Sequence, residues 1–282
     1  MDYAIVALGD SITHATDGGN EGTASLPTPV GYLASQANAL GGGRAFYAAN
    51  GGISSTTSDD WLPTAAGFQG GAQPYAAAAA LATGLQTAHP TARMMFSIML
   101  DTNDTNTVSN HGAVTGRALT GAEHGARLTA IVTRLLSDWP GCLVVIHHGT
   151  YYTANLNGYG QAGLDALATY VAANRAVVAS FAGSNPGQVF VGDEAAYAYF
   201  QTNYLTELRP QTDAGSVGTW YLHPSGLVGS GGRIGNQSLG NYWATAILAA
   251  LAPVAGARAG KAILLPNGKL LMRSDGKLML TV

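Results

Sequence analysis

The chain has 282 residues, of which 47% are hydrophobic and 10% are charged, and its formal net charge is -3 at pH 7. This length and hydrophobic content suffice for one substantial core and indicate one or two domains. The 13 lysines and arginines are not clustered, which argues against nucleic acid or an anionic membrane surface as a partner. No apolar segment reaches the roughly 18 residues that a membrane-spanning helix needs, so we expect a soluble protein.

The sequence predicts neither a leader nor a disulfide. A strand is predicted from residue 3, so we expect no secretory signal in the sequence as given. Cys142 is the only cysteine and cannot form an intramolecular disulfide; within the apolar run 142–146 it is expected to be a small buried hydrophobe. The cellular compartment stays open.

The first predicted element is a buried strand over residues 3–8, which Gly9 ends. It leads into Gly9-Asp10-Ser11-Ile12-Thr13. Ligand crevices of open α/β sheets form at the carboxyl ends of strands, so Ser11 is expected where its hydroxyl can face a crevice. Alternatively, Asp10 and Ser11 simply cap the next helix. These five residues alone do not decide between the two.

Strands and helices alternate along the rest of the chain up to residue 251. Further strands are predicted over 45–49, 94–100, 143–146 and 189–191, and helices over 29–40, 73–87, 121–138, 161–181, 194–205 and 238–251, with a polar loop leading to His223. This alternation indicates a mainly parallel sheet covered by helices on both faces. The polar turns at Ser11, Ser55 and Asn103 each follow a strand, so they are expected at one edge of the sheet.

The composition changes after Ala252 and predicts a main domain over 1–252, a linker over 253–260 and a β tail over 261–282. Within the tail, Asn267-Gly268 and Asp275-Gly276 favour the type I′ turns of hairpins, which predicts a three-stranded β meander. A sheet this small is marginally stable alone. It is therefore expected to dock on the main domain, on a second copy of the chain or on a partner, with an edge cover as its simplest role.

Four blocks of the sequence resemble those of the SGNH hydrolases, also called GDSL esterases and lipases. The blocks are Gly9-Asp10-Ser11-Ile12-Thr13, the loop over 50–55, Thr102-Asn103-Asp104, and His223-Pro224. They occur in the family's order and span about residues 3–251. The resemblance implies a three-layer α/β/α fold with a flavodoxin-like parallel sheet, and hydrolysis of carboxylic esters without a metal or cofactor.

The same resemblance implies roles for individual residues. Ser11 would attack the ester and His223 would act as its base, since imidazole titrates near neutrality. The oxyanion would be held by the main-chain N–H of Ser11, a main-chain N–H of the second block and the side chain of Asn103. For the second donor we expect Ser55, which stands where the family usually has glycine, with Gly52 as the other choice.

The family's aspartate, three residues before the histidine, is absent: Trp220 occupies its position. Either the main-chain carbonyl of Trp220 orients His223, which we favour, or an acid such as Asp213 or Asp193 reaches it from elsewhere. A second departure is Asp101, where the family usually has glycine. We expect its carboxylate to point away from the site into a hydrogen bond.

Other candidates have weaker signals. Each of these candidates could have a role at the pocket or in ordinary packing. They are His14, His147, His148, the stretch Asp59-Asp60-Trp61 and the pair Tyr151-Tyr152. Adjacent histidines on a strand point to opposite faces and cannot bind one metal ion together, which favours structural roles for His147 and His148.

The polar, glycine-rich loops favour short acyl groups over long lipid chains. We expect an esterase for acetyl groups on a carbohydrate, with a small-molecule ester or an acetylated saccharide as its partner. A general short-chain esterase and a catalytically weak binding or structural protein with the same fold are the alternatives.

Overall fold

The computed structural model describes residues 1–15, 28–108, 110–112, 114–212, 214–226, 234–252, 261–262 and 280–281. The chain divides into two compact units, Met1–Ala250 and Leu251–Val282. Among the described residues, no helix combines the length and the apolar sequence that crossing a bilayer requires.

The strands of the first unit are, in chain order, β1 (Tyr3–Gly9), β2 (Phe46–Asn50), β3 (Arg93–Met99), β4 (Asn110–His111), β5 (Val114–Thr115), β6 (Leu143–Ile146), β7 (Val189–Val191), β8 (Leu208–Gln211) and β9 (Trp220–Pro224). Its helices are α1 (Ser11–His14), α2 (Pro29–Leu40), α3 (Pro74–Ala88), α4 (Asp101–Asp104), α5 (Gly121–Asp138), α6 (Gly160–Ser180), α7 (Ala196–Glu207) and α8 (Gly235–Ala250).

Five strands form a parallel sheet in the order β2-β1-β3-β6-β7. Every residue of β1 is buried, as expected for a central strand that helices cover on both faces. On one face, Val6, Phe96 and Val144 share a core with residues of α3, α5 and α6. Helices α2 and α8 pack against each other, and Trp243 of α8 stacks on His147 just beyond β6. The predicted three-layer α/β/α fold is confirmed.

The strand order reverses at β1, which lies between β2 and β3. In open α/β sheets, the carboxyl ends of the strands at such a switch point flank a crevice. Helix α1 begins two residues after β1 ends, and α4 begins two residues after β3 ends. The topology therefore places the turns that carry Ser11 and Asn103 on either side of this point.

The predicted elements agree with the structure for the long segments and differ near the site. The turns at Ser11 and Asn103 are short helices, and the segment predicted as a polar loop before His223 contains the antiparallel hairpin β8–β9. The loop prediction was wrong because each of these strands contains a proline, a residue that argues against a strand. The structure tolerates both prolines in a two-stranded ribbon.

In the second unit, β10 (Lys261–Ala262) pairs antiparallel with β11 (Leu280–Thr281). The predicted linker over 253–260 and both predicted turns of the β tail lie outside the described residues. The three-stranded meander therefore stays a prediction.

Candidate active site

The structure brings Ser11 and His223 together across 212 positions of sequence: Ser11 Oγ lies 3.0 Å from His223 Nε2. Ser11 is the first residue of α1, and the side chain of Asp10 caps this helix by accepting a hydrogen bond from the N–H of Ile12 at 2.9 Å. The two sequence alternatives for this turn are therefore compatible. Asp10 caps the helix, and the cap leaves the Ser11 hydroxyl facing His223.

A bulge in the β8–β9 hairpin presents His223. Leu208 pairs with Pro224 and Pro210 pairs with Tyr221, so two residues of β9 face one residue of β8 between these pairs. Bulges bend a strand and redirect its side chains, and they are common beside active sites. Along β9 exposure alternates, with His223 and Tyr221 on the half-exposed face.

The second ring nitrogen of His223 contacts Gln211: Nδ1 lies 2.9 Å from Oε1 of this side chain. An amide oxygen can only accept, so Nδ1 carries the proton and Nε2, which lies 3.0 Å from Ser11 Oγ, is the nitrogen that accepts the proton of the Ser11 hydroxyl. This is the tautomer that a general base requires.

The sequence favoured the main-chain carbonyl of Trp220 as the partner of Nδ1, and this role stays a prediction; the structure adds the side chain of Gln211 as a partner that was not foreseen. Gln211 lies opposite Trp220 in the hairpin register, a pairing hidden by the prediction of a loop. Asp193 has another task, since its carboxylate accepts hydrogen bonds from the N–H groups of Ala195 and Ala196 near the start of α7. Asp213 lies outside the described residues.

Of the two proposed second-block donors, Ser55 fits and Gly52 does not. The N–H of Gly52 donates to Asn50 Oδ1 at 3.0 Å and is therefore engaged. Ser55 has φ of +64°, a left-handed conformation in which glycine is far more common. Among the described residues, the N–H groups of Ser11 and Ser55 have no hydrogen-bond acceptor.

Hydrogen bonds link the segment of the second block to the first and third blocks. The N–H of Ile53 donates to Gly9 O at 2.9 Å, next to the Ser11 turn. Asn103 is 8% exposed, and its Nδ2 donates to Thr56 O at 2.9 Å. This leaves one amide hydrogen on Asn103 without an assigned acceptor. The Ser11 turn, the second block and Asn103 therefore belong to one hydrogen-bonded assembly, which carries three N–H donors of the type that stabilises an oxyanion.

Helix α4, which carries Asn103, is fixed by buried charges. His124 of α5 lies between two carboxylates, with Nδ1 2.7 Å from Asp104 Oδ2 and Nε2 3.2 Å from Asp101 Oδ1. Burial alone would lower the pKa of His124, but its hydrogen bonds to Asp101 and Asp104 raise it to about 10. The imidazolium is therefore a buried cation that holds both ends of the helix.

Asp101 points away from the nucleophile, as the sequence analysis expected. Its Oδ2 accepts hydrogen bonds from His148 Nδ1 at 2.8 Å and from the N–H of Gly149 at 3.0 Å. Burial would raise the pKa of Asp101, but its contacts with His124 and His148 outweigh burial and lower it. This carboxylate is a structural anion.

The other histidine candidates have local partners. His147 is fully buried; its Nδ1 accepts from the N–H of Asp193 and its Nε2 lies 2.9 Å from Ser97 Oγ. Burial lowers the pKa of His147 to about 3, so it is a neutral core residue. His14 is the last residue of the nucleophile helix α1, where its Nδ1 is 3.1 Å from Ser54 Oγ.

The remaining candidates divide between packing and the surface. Trp61 and Tyr152 have no exposed surface and belong to the interior. Asp59 forms an ion pair with Arg127 at 2.6 Å, and Asp60 accepts hydrogen bonds from Thr57. Tyr151 is half-buried. Within the described part of the chain, no group of three or more His, Cys, Asp or Glu side chains is arranged to hold a metal ion.

Two residues that contact the site, Gln211 and Tyr159, were not predicted from the sequence. Gln211 belongs to none of the four sequence blocks, and only a prediction of the β8–β9 hairpin would have placed it near His223. Tyr159 donates to Asn103 Oδ1 at 2.7 Å; its flanking glycines, Gly158 and Gly160, were the available sign of a constrained loop.

No protein-family model and no curated protein matches the sequence. Solved structures match it with low sequence identity over nearly their whole length. Est24, a carbohydrate acetylesterase from Sinorhizobium meliloti, has 15% identity and a TM-score of 0.51, covering 88% of this chain and 99% of that chain. LAE5, an alpha/beta hydrolase enzyme from the metagenome of Lake Arreo, has 18% identity and a TM-score of 0.50, covering 89% and 96%. A catalytic mutant of Axe2, an acetylxylan esterase from Geobacillus stearothermophilus, has 16% identity and a TM-score of 0.50, covering 90% and 96%.

Proposed function

We propose that this chain, which has the fold of the SGNH hydrolases, is a serine esterase that works through an acyl-serine intermediate. The observation that carries the proposal is the 3.0 Å contact between Ser11 Oγ and His223 Nε2. A serine hydroxyl is a weak nucleophile until a base removes its proton. Because Nδ1 of His223 carries the ring proton, Nε2 is the nitrogen that can act as this base.

In this mechanism Ser11 Oγ bonds to the acyl carbon while its proton passes to His223 Nε2. The carbonyl oxygen becomes an oxyanion and accepts hydrogen bonds from the N–H groups of Ser11 and Ser55 and from Asn103. The imidazolium then gives its proton to the departing alcohol as the C–O bond breaks. A water molecule, activated by His223 in the same way, releases the acid and restores Ser11.

The acyl group in this proposal is short, and the alcohol is a saccharide. Half-buried tyrosines support a saccharide: Tyr221, on the same face of β9 as His223, contacts Tyr204 with ring centroids 5.1 Å apart, and Tyr204 contacts Tyr151 at 6.0 Å. Such rings offer flat apolar faces with polar edges, which suits stacking against a sugar ring. Two of the solved structures with this fold are a carbohydrate acetylesterase and an acetylxylan esterase, so acetylated saccharides come first among substrates to test.

A catalytically weak binding protein is the second candidate, and the contact of His223 with Gln211 favours it. The amide of Gln211 fixes the tautomer but supplies no full negative charge to the imidazolium. The two candidates differ in whether hydrolysis depends on Ser11.

The test is hydrolysis of p-nitrophenyl acetate by the wild type and by Ser11→Ala, with Ser180→Ala as the matched control. Ser180 ends α6, where its hydroxyl donates to Val177 O, and has no contact with the site. We expect the wild type and Ser180→Ala to be equally active and Ser11→Ala to lose about a thousandfold or more. Equal background rates in all three would remove the esterase proposal. Acetate release from acetylated xylo-oligosaccharides, compared with p-nitrophenyl octanoate, then tests the substrate class.

A further inference from the structure

Tyr159 lies outside all four sequence blocks, yet it touches the third. It precedes α6, between Gly158 and Gly160, which have φ of +78° and +61°. Its hydroxyl lies 2.7 Å from Asn103 Oδ1, and its ring packs edge-on against Tyr152 with centroids 5.4 Å apart. The two left-handed glycines therefore shape a loop that brings one phenol to the oxyanion asparagine.

The direction of this hydrogen bond follows from the partners of Asn103. A main-chain carbonyl can only accept, so the contact with Thr56 O at 2.9 Å must involve the amide nitrogen of Asn103. The amide oxygen then faces Tyr159, which must be the donor. Burial raises the pKa of Tyr159 to about 12, so the phenol keeps the proton that it donates.

The side-chain amide of Asn106 is a further polar partner of Tyr159. Asn106 Oδ1 accepts a hydrogen bond from the N–H of Val108 at 2.9 Å. The side chain of Asn106 hydrogen-bonds Tyr159 and acts to lower the pKa of this phenol, as a donor to the phenol oxygen does. The phenol that donates to Asn103 thus also interacts with Asn106, which favours its ionised form.

The hydrogen bonds that Asn103 forms with Thr56 and Tyr159 have two consequences. The contacts with Thr56 and Tyr159 hold its amide group at both ends, so it cannot flip and present oxygen to the oxyanion. A hydrogen bond into the amide oxygen also makes the amide N–H groups stronger donors. Both effects matter more as negative charge develops on the substrate oxygen than while the substrate is neutral.

We propose that Tyr159 is a positioning residue for the oxyanion hole, acting through the side-chain amide of Asn103. The inference rests on the proposed function, since it assigns Asn103 as an oxyanion donor. Tyr159 gives no proton to the substrate; it fixes the orientation and donor strength of a group that does contact it.

The test is a double-mutant cycle on p-nitrophenyl acetate with Tyr159→Phe, Asn103→Ala and the pair combined. Tyr152→Phe is the matched control, because Tyr152 is a neighbouring buried phenol whose hydroxyl contacts Thr105 Oγ1 at 2.8 Å instead of Asn103. We expect Tyr159→Phe to lower kcat about tenfold and leave KM within twofold, Asn103→Ala to lower kcat about 100-fold, and Tyr152→Phe to match the wild type. In the Asn103→Ala background, Tyr159→Phe should have no further effect.

A tenfold loss on Tyr159→Phe that persists in the Asn103→Ala background would overturn the inference, as would an unchanged kcat or an equal loss in Tyr152→Phe. If Asn103→Ala does not fold, Asn103→Ser provides the second background. A wild type whose hydrolysis does not depend on Ser11 would instead contradict the proposed function, so the two failures are distinguishable.

Discussion

Replacing Gln211 by glutamate puts a carboxylate where the structure has a neutral amide, 2.9 Å from His223 Nδ1. The two side chains have nearly the same shape, and Gln211 is half-buried in a strand that is already paired. The change therefore adds a charge to the imidazole's partner with little change in packing. The substitution introduces an acidic partner of the histidine, as the SGNH hydrolases usually have.

The size of the effect follows from this contact. A neutral hydrogen bond contributes about 1 kcal/mol and one to a charged group about 1.5–3 kcal/mol. The imidazolium that forms in the transition state should therefore gain about 0.5–2 kcal/mol, and the middle of this range corresponds to roughly tenfold in kcat. An opposite charge within 4–6 Å raises a histidine pKa by about 1–3 units, and the partial exposure of both groups favours about one unit.

The assay is the pH profile of kcat/KM for p-nitrophenyl acetate between pH 4 and 9. His223 must be neutral to act as a base, so a raised pKa moves the acid limb of the profile to higher pH. We expect Gln211→Glu to shift this limb upward by about one unit and to be faster than the wild type on the plateau. Gln201→Glu, which adds the same charge at an exposed position of α7, controls for net charge. A Gln211→Glu profile that coincides with that of Gln201→Glu would refute the role assigned to Gln211.

Two further predictions concern stability. Ser55→Gly removes a side chain from a residue with φ of +64°, so the free energy of unfolding should rise by about 0.5–1 kcal/mol with kcat unchanged; a lower value in urea unfolding would contradict the strain. His124→Gln leaves two buried carboxylates without their cation and should lower the free energy of unfolding by about 3–5 kcal/mol. Asp101 and Asp104 raise the pKa of His124 from 6.5 to about 10, so its contribution is fully present below about pH 6.5 and declines as the pH rises toward 10. Urea titrations at pH 6 and pH 9.5 should show this alkaline decline in the wild type and lose it in His124→Gln; the same decline in both proteins would argue against a charged His124.

The sequence predicted the sheet well because its strands are apolar runs that end at polar turns. The strand over 143–146 and the helix over 121–138 have the predicted bounds, since continuous burial and a helical apolar period are local signals. The pairing of Ser11 with His223 came instead from the resemblance of four blocks. No local pattern connects residues 212 positions apart.

What the sequence did not predict depends on register and on loop shape. Gln211 reaches His223 only because β8 pairs with β9 around a bulge, and the prolines of these strands hide them from pattern analysis. Tyr159 reaches Asn103 through a loop with two left-handed glycines. In both cases the backbone geometry brings the side chain to the site. This geometry cannot be predicted from the periodicity of apolar side chains.

The proposed mechanism depends on the activation of Ser11 by His223, and covalent labelling tests this activation most directly. The wild type, Ser11→Ala and His223→Ala would be treated with a fluorophosphonate, and the modified peptide identified by mass spectrometry. We expect one label, on Ser11, absent in Ser11→Ala and slowed at least a hundredfold in His223→Ala. Labelling of another residue, or a rate on Ser11 that is the same without His223, would contradict the account.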